Sequence, residues 1–172
     1  MSVSKELKPV TGRAWVFGNN VDTDQIIQGQ YLTVLDYAEM ARHTFEIPRP
    51  VFASKVKKND VVIAGRNFGG GSSREEAPKV LLQSGVGCVI AESFARIFYR
   101  NGFNVGLPLL IIPNVAKLVK DGETVTVDIS KGTVTIRSNS DILHGKPLPD
   151  RMLNLLREGG AVAWYKQTVG KH

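Results

Sequence analysis

Three short apolar stretches separated by helix-compatible segments constrain this chain more than any other feature: Val61-Val62-Ile63-Ala64, residues 86–91 and residues 109–112. A continuous apolar run, unlike an alternating one, marks a strand covered on both faces. Between the first two runs, residues 77–84 predict a helix, with Pro78 in its first turn and Gly85 just past its end. Between the second and third, Ser93 can cap a helix reaching Asn101 that Gly102 closes. Strand–helix–strand–helix–strand at this spacing requires an α/β fold with a parallel core.

The flanks add to that core. Residues 11–17 read as a strand, and Gly18-Asn19-Asn20 as a turn. Asp36 followed by Glu39 predicts a capping box for a helix to Phe45, which Pro48 and Pro50 prevent from continuing. Residues 31–54 are therefore a long, partly helical excursion, expected to be a mobile recognition loop. After Pro113, Asn114 can cap a helix to Lys120. Residues 123–129 and 133–137 alternate and are β-branched around Ser130-Lys131-Gly132, which predicts a hairpin. Asp150 is expected to cap a helix ending near Gly159, and residues 161–165 read as a last strand. Trp15 and Trp164 are expected in the core.

Composition narrows the classes. The 172 residues suit one domain over 1–172, and 42% hydrophobic residues with 22% charged argue against disorder. Residues 1–11 alternate polar and charged residues and hold no apolar stretch, so they do not read as a secretory signal, and about 1–10 reads as a flexible N-terminus. The longest apolar run, residues 105–112, is broken by Gly106 and Pro108 and falls far short of the ~20 residues that cross a bilayer. A cytoplasmic protein with no membrane segment is expected. The net charge of +6 raises an RNA-binding module as a reading from a different class, but the basic residues are scattered, Lys55, Lys57 and Lys58 being the densest group. A solvated face accounts for them better than nucleic acid does. One cysteine, Cys88, cannot form an internal disulfide or hold an iron–sulfur cluster alone, and its place in an apolar strand reads as core. His43, His144 and His172 show no ligand spacing.

The chemistry lies in Gly65-Arg66-Asn67-Phe68-Gly69-Gly70-Gly71-Ser72-Ser73-Arg74-Glu75-Glu76, between a buried strand and a helix. Glycines let the backbone approach a ligand, and a helix start offers unpaired N–H groups to an anion. Arg74 can hold a carboxylate through two parallel hydrogen bonds. The pattern fits equally a helix capped by Ser72 or Ser73 with Arg74 on the surface. Other loops fit worse. A phosphate loop needs a lysine after its last glycine, and a hydrolase elbow needs a glycine two residues after its serine. The dinucleotide fingerprint lacks its third glycine.

This loop, with Ala91-Glu92-Ser93-Phe94-Ala95-Arg96-Ile97-Phe98-Tyr99-Arg100-Asn101, Gly106-Leu107-Pro108-Leu109 and Phe17-Gly18-Asn19-Asn20-Val21-Asp22-Thr23-Asp24-Gln25-Ile26, resembles the small subunits of the aconitase superfamily. It is most similar to those of the 3-isopropylmalate dehydratase (isopropylmalate isomerase) family, with homoaconitase the near relative. The resemblance runs from about Gly12 to Trp164; where relatives commonly carry a cysteine, this chain has Gly70. It implies a swivelling β/β/α three-layer domain. The implied partner is a large subunit carrying a [4Fe-4S] cluster, in a heterodimer or heterotetramer. The implied reaction is a reversible dehydration of a malate-like dicarboxylate in leucine biosynthesis, with this chain inactive alone. Ser72 would be the base, Ser73 and Arg74 would hold a carboxylate, and Asp24 would be a supporting active-site acid. Asp24 fits a turn-capping aspartate as well.

Substrate choice, by the same resemblance, is read just after Tyr31-Leu32, where relatives acting on a third carboxylate place an arginine. Here stand Thr33-Val34-Leu35, which favours an alkyl group such as isopropyl over the extra carboxylate of homoaconitate or citrate. A methylmalate or dimethylmalate fits the same logic, and Arg42 is the nearby residue able to supply the missing charge. Arg96, Arg100 and Asn101 read as a helix face packing on the partner or on the loop.

Overall fold

The computed structural model describes residues 5–170. Residues 1–4 of the N-terminal stretch, and His172, lie outside the described residues. In chain order come β1 (Val10–Val16), α1 (Thr23–Ile26), a 3-10 turn (Gly29–Tyr31), α2 (Tyr37–Ala41), α3 (Phe52–Lys55), β2 (Val61–Ala64), α4 (Glu76–Gln83), β3 (Cys88–Ala91), α5 (Arg96–Val105) and β4 (Leu109–Ile111). Then follow α6 (Val115–Leu118), β5 (Thr124–Asp128), β6 (Thr133–Ile136), β7 (Ile142–His144), α7 (Asp150–Glu158) and α8 (Ala161–Val169).

The strands join in the order β4-β3-β2-β1-β5-β6-β7. From β1 to β4 the pairing is parallel, and every residue of β2 and β3 is buried, as continuous apolar runs demand. From β1 through β7 the pairing is antiparallel, and β5 and β6 bury alternate residues. Strand β1 is the seam. Its Val10–Arg13 half faces β5 and its Ala14–Val16 half faces β2. The expected parallel α/β core and the hairpin are both present.

Beside β1 lies an aromatic cluster. The rings of Phe17 and Phe45 are 4.3 Å apart, and Phe52 meets Phe45 and Trp15 edge-on, each at 4.9 Å. Trp15 donates its indole N–H to buried Asp60 at 3.0 Å, and that carboxylate also accepts from the Arg13 and Lys57 amides, so its burial is compensated. Phe45 and Phe52 belong to the excursion, which is thus pinned to the sheet by its aromatic side chains.

Several boundaries differ from the sequence expectation. The helix after Asp36 ends at Ala41 instead of Phe45, because Phe45 turns left-handed (φ 55°) and donates to the Ile26 carbonyl, seating its ring in the core. Asp36 does cap it, but Glu39 pairs with Arg42 instead of closing a capping box. The helix expected from Ser93 to Asn101 spans Arg96–Val105. Gly102 sits inside it, where a Cβ would come 2.5 Å from Leu109, and Gly106 (φ 85°) ends it. Asn114 precedes only a short helix to Leu118 and makes no side-chain cap bond. Pro149, not Asp150, is the N-cap residue of α7. The final strand expected at residues 161–165 is helix α8, packed on α5 and α7, and Trp164 is 43% exposed on it. A short apolar run does not distinguish strand from helix by periodicity; packing decides.

Candidate active site

The glycine loop leaves the end of β2 and is laced on both sides by backbone bonds. On one side Gly69 N–H donates to Val21 O (2.7 Å), Thr23 N–H to Gly70 O (2.9 Å) and the Thr23 hydroxyl to Ser72 O (2.7 Å). On the other, Asn67 N–H donates to the Ser93 hydroxyl (2.8 Å), Phe68 N–H to Ser93 O (3.1 Å) and Ala95 N–H to Phe68 O (2.9 Å). Ser93 therefore ties the loop down and does not cap α5. Gly69 has φ 84°, and a Cβ there would stand 2.2 Å from Phe98 Cγ, so no other residue fits without rearrangement. Gly70 has no such constraint on φ, and its added Cβ would meet Asn67 Nδ2 at 3.1 Å, a fit that a small side-chain shift relieves.

Neither Ser72 nor Ser73 caps α4. Its N-cap residue is Glu75, which makes no side-chain cap bond, and both serines are exposed, their hydroxyls forming no hydrogen bond among the described residues. Two acids, Glu75 and Glu76, open that helix, so an anion in the loop would be drawn by Arg74 more than by the α4 start.

Arg74 is not a surface residue. Its side chain is 14% exposed; Nη1 donates to Ile27 O at 2.8 Å, and Nη2 pairs with Asp24 Oδ1 at 2.5 Å. Asp24, 63% exposed, is not the cap of α1; Asp22 has that place, in a capping box with Gln25. The turn-capping alternative for Asp24 therefore fails; its carboxylate pairs with Arg74 but does not itself line the cleft between the glycine loop and α5. Pairing uses part of the guanidinium's five N–H donors and leaves others for a ligand.

Between the loop and the start of α5 lies a cleft of about 300 Å³, where Ser72, Ser73 and Arg74 face Arg96, Ile97, Phe98 and Asn101. Arg96 and Asn101, expected to be packing residues, are thus cleft residues. Arg96 is exposed, and among the described residues its guanidinium makes no hydrogen bond or ion pair. The available signal was a lone cation at a helix start within the second motif. Sequence reasoning also missed Thr23, whose hydroxyl buttresses Ser72.

Thr33 and Val34 do not line this cleft. Thr33 is exposed and Val34 is half-buried against the core. They follow the Gly29–Tyr31 turn, which covers Arg74: a Cβ on Gly29 would lie 3.4 Å from Nη2. Arg42 is occupied by Glu39 at 3.5 Å and points to solvent. Cys88 is sealed in β3, where burial pushes its thiol pKa up. Among the described residues no three His, Cys, Asp or Glu converge as metal ligands. No described helix is long and apolar enough to cross a membrane.

An α/β domain with a serine pair and a half-buried arginine on a glycine loop defines a class, and comparison with known proteins agrees. The chain belongs to the aconitase C-terminal domain family, which matches residues 19–114. It is 49% identical over 158 residues to the 3-isopropylmalate dehydratase small subunit 1 of Methanopyrus kandleri, covering 92% of this chain and 93% of that one. It is 48% identical to the methanogen homoaconitase small subunit of Methanothermobacter thermautotrophicus, over 93% of this chain and 92% of that one. The crystal structure of a 3-isopropylmalate dehydratase from Methanocaldococcus jannaschii superposes with a TM-score of 0.89 at 40% identity, covering 94% and 96% of the two chains. The kinship expected from the motifs therefore holds, and identity alone does not separate the two substrate types.

Proposed function

We propose that this chain is the small subunit of a hydro-lyase that interconverts 2-isopropylmalate and 3-isopropylmalate by dehydration and rehydration. It works with a large subunit that carries the [4Fe-4S] cluster, a reading supported by relatives that are themselves named small subunits. The observation that carries the reading is the pair of uncommitted hydroxyls, Ser72 and Ser73, beside half-buried Arg74 at the rim of one cleft. Ser72 removes the proton from the carbon next to the leaving hydroxyl. A serine does this only where its alkoxide is favoured, and the cations of Arg74 and Arg96 on the same cleft favour it. Ser73 and Arg74 hold a substrate carboxylate, and Asp24 keeps the guanidinium plane oriented while its remaining donors engage the ligand.

Residues 33 and 34 read the substrate's variable group. Neither is charged, and Arg42 faces solvent at the end of α2, paired with Glu39, so residues 33 and 34 themselves offer no partner to a third carboxylate. Leaving one unpaired on closure would cost several kcal/mol, on the order of 3. A matching alkyl group instead gains roughly 1–3 kcal/mol. The test is kcat/KM for 3-isopropylmalate and for homoisocitrate, measured with the cognate large subunit. Preference for 3-isopropylmalate is expected. Preference for the tricarboxylate would assign the chain to a homoaconitase.

A further inference from the structure

A polar cluster beyond the cleft takes no part in the chemistry above. Glu46 accepts from the Tyr31 hydroxyl at 2.6 Å and from Gln28 Nε2 at 3.1 Å, both on Oε2, and its Oε1 lies 3.3 Å from His43 Nδ1. The Tyr31 and His43 rings stack, with centroids 3.7 Å apart and planes 8° from parallel. Both carboxylate oxygens are thus committed, and Tyr31 is gripped at its hydroxyl and on its ring face.

Its position in the chain gives this cluster its interest. Tyr31 closes the Gly29–Tyr31 turn, and Thr33 follows two residues later. Between Tyr31 and Asp36 the backbone bonds are local, Leu32 N–H to Gly29 O (3.2 Å) and Val34 N–H to Tyr31 O (3.1 Å). Thr33 is exposed and Leu35 is 98% exposed; Leu32 and Val34 add only partial apolar packing. Such a stretch takes its position largely from its two ends. At the far end Asp36 caps α2 and the Tyr37 hydroxyl accepts from Lys79 at 3.3 Å. At the near end the holding contact is Glu46. The turn so held also lies close over Arg74 at Gly29, and Arg74 donates to Ile27 O just before the turn.

We propose that Glu46 is a positioning residue: through Tyr31 and His43 it fixes the turn that carries Thr33 relative to Arg74, and so sets selectivity for the substrate's variable group. The inference rests on the reading of residue 33 as the substrate reader. Loss of the grip lets the stretch wander, which weakens recognition of the alkyl group while leaving Ser72 and its backbone lacing in place. The effect belongs in KM and in the ratio between substrates, not in turnover.

The experiment measures kcat and KM for 3-isopropylmalate and homoisocitrate in the reconstituted two-subunit complex, for Glu46→Ala, Tyr31→Phe, Glu46→Gln and Thr33→Arg. Tyr31→Phe keeps the ring stack and guards against a folding defect in Glu46→Ala. Both are expected to raise KM for 3-isopropylmalate by about fivefold, the scale of one net hydrogen bond, with kcat within about twofold and a narrowed substrate ratio. Glu46→Gln, which retains a carbonyl acceptor for the Tyr31 hydroxyl, restores most of the loss. An equal fall in kcat for both substrates, or unchanged kinetics in Glu46→Ala and Tyr31→Phe, would overturn the proposal. A selectivity shift in Thr33→Arg with none in those two leaves the reader standing and removes its clamp. No shift in Thr33→Arg removes the reader, and the clamp's purpose with it.

Discussion

The glycine loop carries Arg74 and the stretch after Tyr31 follows the turn that covers it, yet they are held in opposite ways. The loop is held mostly by main chain: Phe68, Gly69 and Gly70 exchange backbone bonds with Ser93, Ala95, Val21 and Thr23, the Thr23 and Ser93 hydroxyls add one bond each, and Gly69 fits because it has no side chain. The stretch after Tyr31 is held by side chains, Glu46, His43 and Lys79, and presents Thr33 and Leu35 to solvent. A backbone-laced segment keeps its geometry through many substitutions nearby but fails at a glycine. A side-chain-held segment can be retuned by one replacement. On the function proposed above, chemistry sits on the first kind and substrate choice on the second, which suits a chain whose relatives are named for different acids.

The largest expected break is Ser72→Ala in the reconstituted complex. Removing a general base should lower kcat by roughly 10²–10⁴-fold with a small change in KM. Near wild-type turnover would move the base elsewhere. Next comes Arg74→Lys. A lysine cannot hold Ile27 O, Asp24 and a carboxylate together, so KM should rise about tenfold or more, read in steady-state kinetics.

Glycine substitutions sharpen the contrast within the loop itself. Gly69→Ala combines a left-handed φ with a Cβ 2.2 Å from Phe98, and should destabilise the chain by roughly 2–4 kcal/mol in denaturant titration. Gly70→Cys, at a position with no such constraint on φ, should stay within about 1 kcal/mol of the parent. Equal penalties at the two positions would show that the lacing, not the local fit, limits the loop.

The smallest effect is in pH dependence. Hydrogen bonds from the Tyr31 hydroxyl and then His43 hold the Glu46 carboxyl below its ordinary pKa. A depressed carboxylate contributes stability that is complete above its unfolded pKa and is lost as pH falls through the lower folded value. Thermal melts from about pH 5 down to about pH 3 should therefore show wild type losing Tm faster than Glu46→Gln. Parallel curves would mean that the cluster does not depend on the charge.

Much of this arrangement was legible in the sequence wherever one segment carried the whole signal. The fully apolar β2 and β3, the β-branched hairpin of β5 and β6, and the loop from Gly65 to Arg74 all speak locally. What stayed hidden depends on partners far along the chain. Ser93 looks like a helix cap until Asn67 is seen to donate to it, 26 positions away. Asp24 and Arg74, with Ile27 beneath them, meet only because β1 and β2 lie side by side. Gly102 reads as a helix stop, but its lack of a side chain serves the packing of α5 on Leu109. For residues 161–165, the helical neighbours α5 and α7 decided a pattern that periodicity left ambiguous.

The central claim is that this chain brings a base and a carboxylate grip to a cluster it does not itself hold. Dehydratase turnover of 3-isopropylmalate, followed by absorbance of the unsaturated intermediate, tests that claim most directly when the purified chain is assayed alone and then with its iron–sulfur large subunit. The account predicts no turnover alone and turnover on mixing, abolished by Ser72→Ala. Turnover by the isolated chain, or a Ser72→Ala complex as active as wild type, would contradict it.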